Sequence, residues 1–451
     1  MPQEIIHVRT RLMPLYCKDF HCIMGACQDN CCDPGWRIEF SKKDYLKVKR
    51  ATQDTELEAA VTQGMRRLRE REHDGMYAEF CVTDKGRCAF HTEEGLCALQ
   101  LKCGEDTLPS VCRTFPRLTR NTLAAQEHTL SPACEGVLAL LWDLPEGIDF
   151  VEEPLERKDW MDYEPKTAVT ARFADIRSFC IDILQERSLR LPQRLLLMGF
   201  LLQRLRDADW QTENTVDNWL AQGEQLLHNP AVAAELSRLP RDRQLFIANN
   251  YQIAVTLLGE FKTKDLICEL TSAVAADYSQ KEAQMSFSEL KYRDLEEKLE
   301  ELLGHSDYFF ENLMVSVAFQ LEFPNLISPE ELWTDYVNLC NIYSFFRFTS
   351  VCGCDREVSK KRLFHILVAM SRGILHGRYT QRELRDKFFN TTALPWPTWL
   401  SCWVAENGDT ITIDKRQRGQ APHGSDPAVF SCPYTRSKNR RKAFFPSGVR
   451  L

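Results

Sequence analysis

The sequence predicts a mainly α-helical protein in which a loop-rich, cysteine-rich amino-terminal module packs on a multi-helix body. Three observations carry this expectation. Eleven of the 18 cysteines fall within the first 134 residues, apolar residues recur at helical spacing from Thr167 onward, and strand-like alternation and glycine punctuation are scarce. With 451 residues, of which 44% are hydrophobic and 27% charged, the chain is long enough for two or three packed domains. The composition shifts place the module at 1–140, the helical domain at 141–404 and a polar, basic tail at 405–451.

The module opens with Cys22, Cys27, Cys31 and Cys32, four thiols within eleven positions, with Cys17 just before them. Gly25, Asp29, Asn30, Asp33, Pro34 and Gly35 interleave with them, and these turn formers let sulfurs converge without helix or strand periodicity. Adjacent cysteines in a loop have no use in an ordinary core, whereas thiolates suit zinc or iron–sulfur centres. Residues 1–20 carry charges throughout and contain no apolar run of a secretory signal, so a cytoplasmic, reducing setting with ligand thiols rather than bridges is expected. The longest apolar stretch, Leu195 to Leu202, is broken by a glycine and falls far short of the roughly 20 residues of a spanning helix.

After a polar helical stretch over 53–75, a second and looser group follows: Cys81, Cys88, Cys97, Cys103, Cys112 and Cys134, each beside a turn or a proline. The pattern Cys22-x4-Cys27-x3-Cys31-Cys32, Cys88-x8-Cys97, Cys112-Arg-x-Phe-Pro-Arg and Pro-x-Cys134 resembles the flagellin lysine N-methylase family, whose wider group carries a zinc- or iron-chelating cysteine domain. The agreement covers residues 16–136, with a similar helical continuation from Tyr308 through Phe323-Pro324. The resemblance implies S-adenosylmethionine-dependent methyl transfer to lysines of flagellin, with a [4Fe–4S] cluster as the metal centre. It also implies eight metal-ligand candidates, Cys22, Cys27, Cys31, Cys32, Cys88, Cys97, Cys112 and Cys134, and leaves Cys17, Cys81 and Cys103 as extras. Eight thiolates exceed the need of one tetrahedral ion or one cubane. Either an iron–sulfur cluster held mainly by the first group stands beside a zinc held by the second, or one cluster is accompanied by buried surplus thiols. His21, His91 and His128 are marginal ligand candidates.

Methylating lysine requires a neutral amine, although the free side chain titrates at about 10.4, so desolvation or a base is needed. Asp29, Asp33, Tyr77 and Glu127 are the candidates nearest the thiols, each equally well explained as a loop or capping residue. Arg113 and Arg117 flank the Thr-Phe-Pro after Cys112 and are candidates to grip the cofactor carboxylate, with an internal salt bridge as the plainer alternative. No G-x-G-x-x-G motif follows a strand-like run. The radical-type Cys-x3-Cys-x2-Cys triad is also missing, because Pro34 stands where its third thiol would be.

Helical stripes are read at Phe173, Ile176, Phe179, Ile183 and Leu184, and, after Pro192, at Leu195, Met198, Leu202 and Leu205. Others run through Ile253, Leu257 and Phe261; Leu313, Val317 and Phe319; Leu332, Tyr336, Leu339 and Tyr343; and Leu363, Ile366, Leu367 and Met370. Cys180 and Cys268 are expected to pack on such stripes, the aromatic runs at 308–310 and 343–348 to fill core, and Cys352 and Cys354 stay unassigned. A net charge of -7 excludes a general nucleic-acid binder. The tail's basic run, Arg436 to Lys442, offers peripheral contact to an anionic membrane or an acidic protein, and a solvated tail is its ordinary reading. Oligomeric state is not legible. A non-catalytic zinc- or iron-binding interaction module is the alternative to the enzyme.

Overall fold

The computed structural model describes residues 4–32, 38–68, 76–83, 86–238, 243–257, 264–279, 284–304, 308–376, 411–412 and 429–430. Asp33, Pro34, Leu257 as a side chain, Phe261 and all but four residues of the tail lie outside the described residues.

The body is the helical array the stripes predict. Its axis is the helix Pro329–Gly353, started by Ser328, whose hydroxyl accepts from Glu331 N, and by a proline in the first turn. This helix is buried almost all round, so it has no polar face to turn to water. Leu191–Arg206, Glu289–Leu303, Tyr308–Gln320 and Lys360–Leu375 pack around it. Gly199 permits the closest approach: a Cβ there would meet the Tyr336 hydroxyl at 2.0 Å, and that hydroxyl donates to Leu195 O at 2.9 Å. All the described stripe positions are buried, including the aromatic runs Phe309–Phe310 and Tyr343–Phe346, so those rings are core. Cys180, Cys352 and Cys354 are buried as well; Cys268 is exposed, contrary to its expected packing role, because it falls on the water-facing side of the helix Lys264–Ser272.

The amino-terminal third contributes to two cores. Residues 10–20 and 117–154 join the main one through a four-stranded sheet, ordered Arg117–Asn121, Gln126–Leu130, Thr10–Pro14, Phe150–Pro154. Thr10–Pro14 runs parallel to Gln126–Leu130, with Leu12 opposite Glu127, and antiparallel to Phe150–Pro154. Glu127 is carried inside on this sheet and meets Arg177 at 2.7 Å, which also donates to Phe319 O at 3.1 Å. Residues 38–112 instead close a small core of their own around Phe40, Tyr45, Val48, Phe80, Phe90 and Leu99. Among the described residues, no helix is long and apolar enough to cross a membrane.

Candidate metal centre

The thiols gather at the seam between the two cores. Cys88 is part of the small core, and Cys32, Cys97 and Cys112 pack against it; Cys134 and Cys17 pack against the main one. Short-range backbone pairing sets this up. Cys88 N donates to Cys32 O at 2.9 Å, and His91 and Cys97 form an isolated antiparallel bridge that closes a knuckle. Asn30 locks the first loop onto that knuckle: its amide nitrogen lies 2.7 Å from His91 Nε2 and 3.2 Å from Gly95 O, and its oxygen accepts from Cys32 N at 2.8 Å. Cys97 and Cys134 each cap the start of a helix, Ala98–Cys103 and Glu135–Trp142.

The neighbours that act most strongly on the Cys32 thiol are Cys31, Cys88 and Cys97. With Cys32 as the protonated partner, Cys31 is brought down to about 7 and Cys97 to about 6, Cys88 falls too, and Cys32 rises. One S–H serves one acceptor at a time, so this lowering is shared among the three. The backbone N–H of Phe90 near Cys88, and those of Leu99 and Gln100 near Cys97, also act to lower these thiols. Cys112 feels Cys31, Cys88 and Cys97, but burial is the larger effect and pushes it up. Cys27 and Cys134 are neighbours of each other, Cys134 feels Cys31 and Cys22, and burial raises both, Cys134 to about 11. Among the described residues, no three His, Cys, Asp or Glu side chains converge on one point as in a formed metal site.

The loop bearing Cys27, Cys31 and Cys32 is held from both sides. Glu135 Oε2 accepts from Gln28 N at 2.7 Å and Asp29 N at 3.0 Å, and lies 3.4 Å from Cys27 Sγ. From the body, the helix Lys360–Leu375 sends His365 Nδ1 to Asp29 Oδ1 at 2.7 Å and Arg372 to Asp29 O, to Asn30 O at 3.2 Å and to Ala133 O at 3.3 Å. Asp29 Oδ2 is buried with no hydrogen-bond partner. His376, just beyond the helix, lies 2.6 Å from Ser131 Oγ.

The remaining expected residues fall around this seam. Arg113 is exposed, 3.9 Å from Asp106, and Arg117 lies over the Phe20 ring at 5.1 Å. Glu127 is committed to Arg177, Tyr77 stacks edge-on against Tyr45, His21 bonds Asp19 O and His128 bonds Thr119. The extras Cys81 and Cys103 are half-buried away from the thiol contacts, Cys103 near Ala51 O. Sequence reasoning missed Arg372, His365, Glu135 and Asn30. The available signal was the i,i+7 spacing of His365 and Arg372, which puts both on one helix face.

The body helix that grips the thiol loop, Lys360–Leu375, lies within a stretch, residues 177–394, that matches the family described as the FliB lysine N-methylase C-terminal domain. That stretch is 218 of the 451 residues, a little under half of the chain. It is similar to the lysine-N-methylases of Salmonella choleraesuis and Salmonella typhimurium, 26% identical over 143 residues, 32% of this chain and 35% of each relative. It is also 27% identical to the flagellar biosynthetic protein FliU of Salmonella muenchen, over 31% of this chain and 81% of that protein. The match thus spans about a third of the length of those lysine-N-methylases. No solved structure matches the chain.

Proposed function

We propose that this chain is a cytoplasmic, S-adenosylmethionine-dependent protein-lysine N-methyltransferase acting on flagellin, with a [4Fe–4S] cluster held by its amino-terminal cysteines. One observation carries the reading: a helix of the FliB-type domain holds the cysteine loop through His365 and Arg372, so thiols and domain make one site. The donor chemistry suits a soft metal, because these are thiols, and the Arg372 guanidinium acts toward the anionic form of Cys31 and, against the larger effect of burial, of Cys27. Cys22, Cys27, Cys31 and Cys134 line the more open part, with Cys22 and Cys31 exposed.

Bound S-adenosylmethionine supplies an electrophilic methyl group. Arg113 and Arg117 are exposed and lightly engaged, so their guanidinium forks suit its carboxylate. The incoming lysine must lose a proton before its nitrogen forms the new bond to carbon. Asp29 and His365 supply the acceptor: with Nδ1 engaged by Asp29, Nε2 is the ring nitrogen that takes the proton. Intact-mass analysis of flagellin co-expressed with and without this chain tests the reading. Added mass in whole methyl steps, only with the chain present, is expected; identical masses overturn it.

A second reading, a non-catalytic metal-binding interaction module, draws on the packing of Cys32, Cys88, Cys97 and Cys112 on the small core, which suits a structural staple. A brown protein purified without oxygen favours the cluster. A colourless protein holding only zinc favours the staple.

A further inference from the structure

We infer that the outer edge of the strand Arg117–Asn121 is a docking strand for an extended, lysine-bearing segment of the protein substrate, which joins the four-stranded sheet through backbone hydrogen bonds. The inference rests on the methyltransferase reading and adds how the substrate is held. Register decides which backbone groups are already committed. Arg117 stands opposite Leu130 and Asn121 opposite Gln126 with no slip between them, while Ser131 N donates to Pro116 O at 2.9 Å and Thr122 N to Ala125 O at 3.0 Å. Bonded positions alternate along an antiparallel pair, so 116, 118, 120 and 122 face the strand Gln126–Leu130, and Arg117, Thr119 and Asn121 turn their N–H and C=O groups outward. Among the described residues the sheet ends at this strand, and those three residues are exposed.

The opposite edge is defended and this one is open. Phe150–Pro154 ends in a proline and carries Glu152 and Glu153 side by side, features that discourage pairing. Arg117–Asn121 has neither a proline nor a bulge. Its second arginine is already engaged, since Arg120 donates to Gln320 O at 2.8 Å and to Glu322 at 3.0 Å. Location then selects the occupant. The strand starts at the thiol seam, because Pro116 is bonded to Ser131, whose carbonyl accepts from Cys134 N at 3.2 Å. Arg117 is also a proposed grip on the methyl donor, so a segment laid along the strand brings one end, and a lysine on it, to the methyl group. With Arg117 on the donor carboxylate and Arg120 on Glu322, no unpaired cation of the strand repels that lysine. Main-chain bonds of this kind supply affinity, and alternate side chains supply selectivity.

Binding of purified flagellin to the full chain, without S-adenosylmethionine, tests the docking strand. Thr119→Pro removes one outward N–H and leaves 118 and 120 paired with the neighbouring strand, so the sheet should survive and flagellin should bind at least about tenfold more weakly. Thr119→Ala keeps that N–H and should lose far less. Should the proline variant fail to fold, hydrogen exchange of wild type decides, and flagellin should slow the amides of Arg117, Thr119 and Asn121. Equal binding by Thr119→Pro, or exchange at those amides that flagellin leaves unchanged, overturns the docking strand. Protection of the same amides in the free chain, by a second copy or by another part of this chain, overturns it too. The intact mass of flagellin separates the two readings: methylation by wild type together with any of these results sinks the docking strand alone, whereas a wild type that neither binds nor methylates flagellin sinks both.

Discussion

Arg372→Met is expected to loosen the thiol loop without unfolding the body. Arg372 is 7% exposed and donates to the carbonyls of Asp29, Asn30 and Ala133, two of them in the loop itself. A hydrogen bond from a charged donor contributes about 1.5–3 kcal/mol, and the loop carbonyls recover part of this from water once released. The net loss in the loop is therefore about 3 kcal/mol, or about a hundredfold in its opening equilibrium. Methionine is a good helix former and fills the apolar part of the space, so the helix Lys360–Leu375 should persist. Hydrogen exchange over residues 22–32 reads the effect, because Gln28 N and Asp29 N donate to Glu135 and Cys32 N donates to Asn30 while the loop is seated. Exchange there should quicken by about a hundredfold, with protection in Pro329–Gly353 unchanged. Arg372→Lys keeps the charge but loses the fork, and should fall between the two. Unchanged exchange at 28, 29 and 32 in Arg372→Met would refute the clamp.

Two buried groups give opposing pH dependences that single variants separate. Burial, with Arg120 and Arg372 nearby, brings His376 down to about 4 from 6.5, so its contribution is present above 6.5 and is lost as pH falls to about 4, about 3 kcal/mol in all. Burial pushes Glu127 up to about 7 from 4.5, so the native state holds that proton longer and stability falls as pH rises from 4.5 to about 7. In urea titrations across this range, His376→Gln should steepen the fall with rising pH and Glu127→Gln should remove it; the reverse pattern would sink the assignment. Gly199→Ala should cost about 3 kcal/mol by denaturant unfolding, because its Cβ would strike the Tyr336 hydroxyl and displace its bond to Leu195 O. Cys180→Ala should cost about 1 kcal/mol, whereas the exposed Cys268→Ala should stay within about 0.5 kcal/mol of wild type. His365→Ala should slow methylation of flagellin, with part of the loss recovered as pH rises and solvent takes the lysine proton unaided; a pH profile parallel to wild type counts against its role as acceptor.

The helical body was legible because burial at a 3.6-residue period leaves a mark on composition: every described stripe residue from Phe173 to Met370 is inside. The sheet was not. Its strands are short and polar, TRLMP, RLTRN and QEHTL, and Glu127 and Thr129 sit at buried positions where alternation would call for apolar residues. Spacing named the candidate thiols but not the core each packs on: Cys32, Cys97 and Cys112 lie against the small core and Cys134 against the main one, and neighbours in sequence such as Cys31 and Cys32 differ in exposure. Arg372 and His365 were hidden for a related reason. They lie on a helix some 230 residues or more beyond Cys134, and only the folded chain brings that helix to Asp29 and Ala133.

The most direct test of a thiol-bound metal centre in methyl transfer uses the purified chain, flagellin and S-adenosylmethionine carrying a labelled methyl group, before and after iron is stripped. Label should pass to flagellin lysines with the loaded protein and should stop once iron is removed, returning when the centre is rebuilt. Transfer at the original rate by iron-free protein would contradict the account.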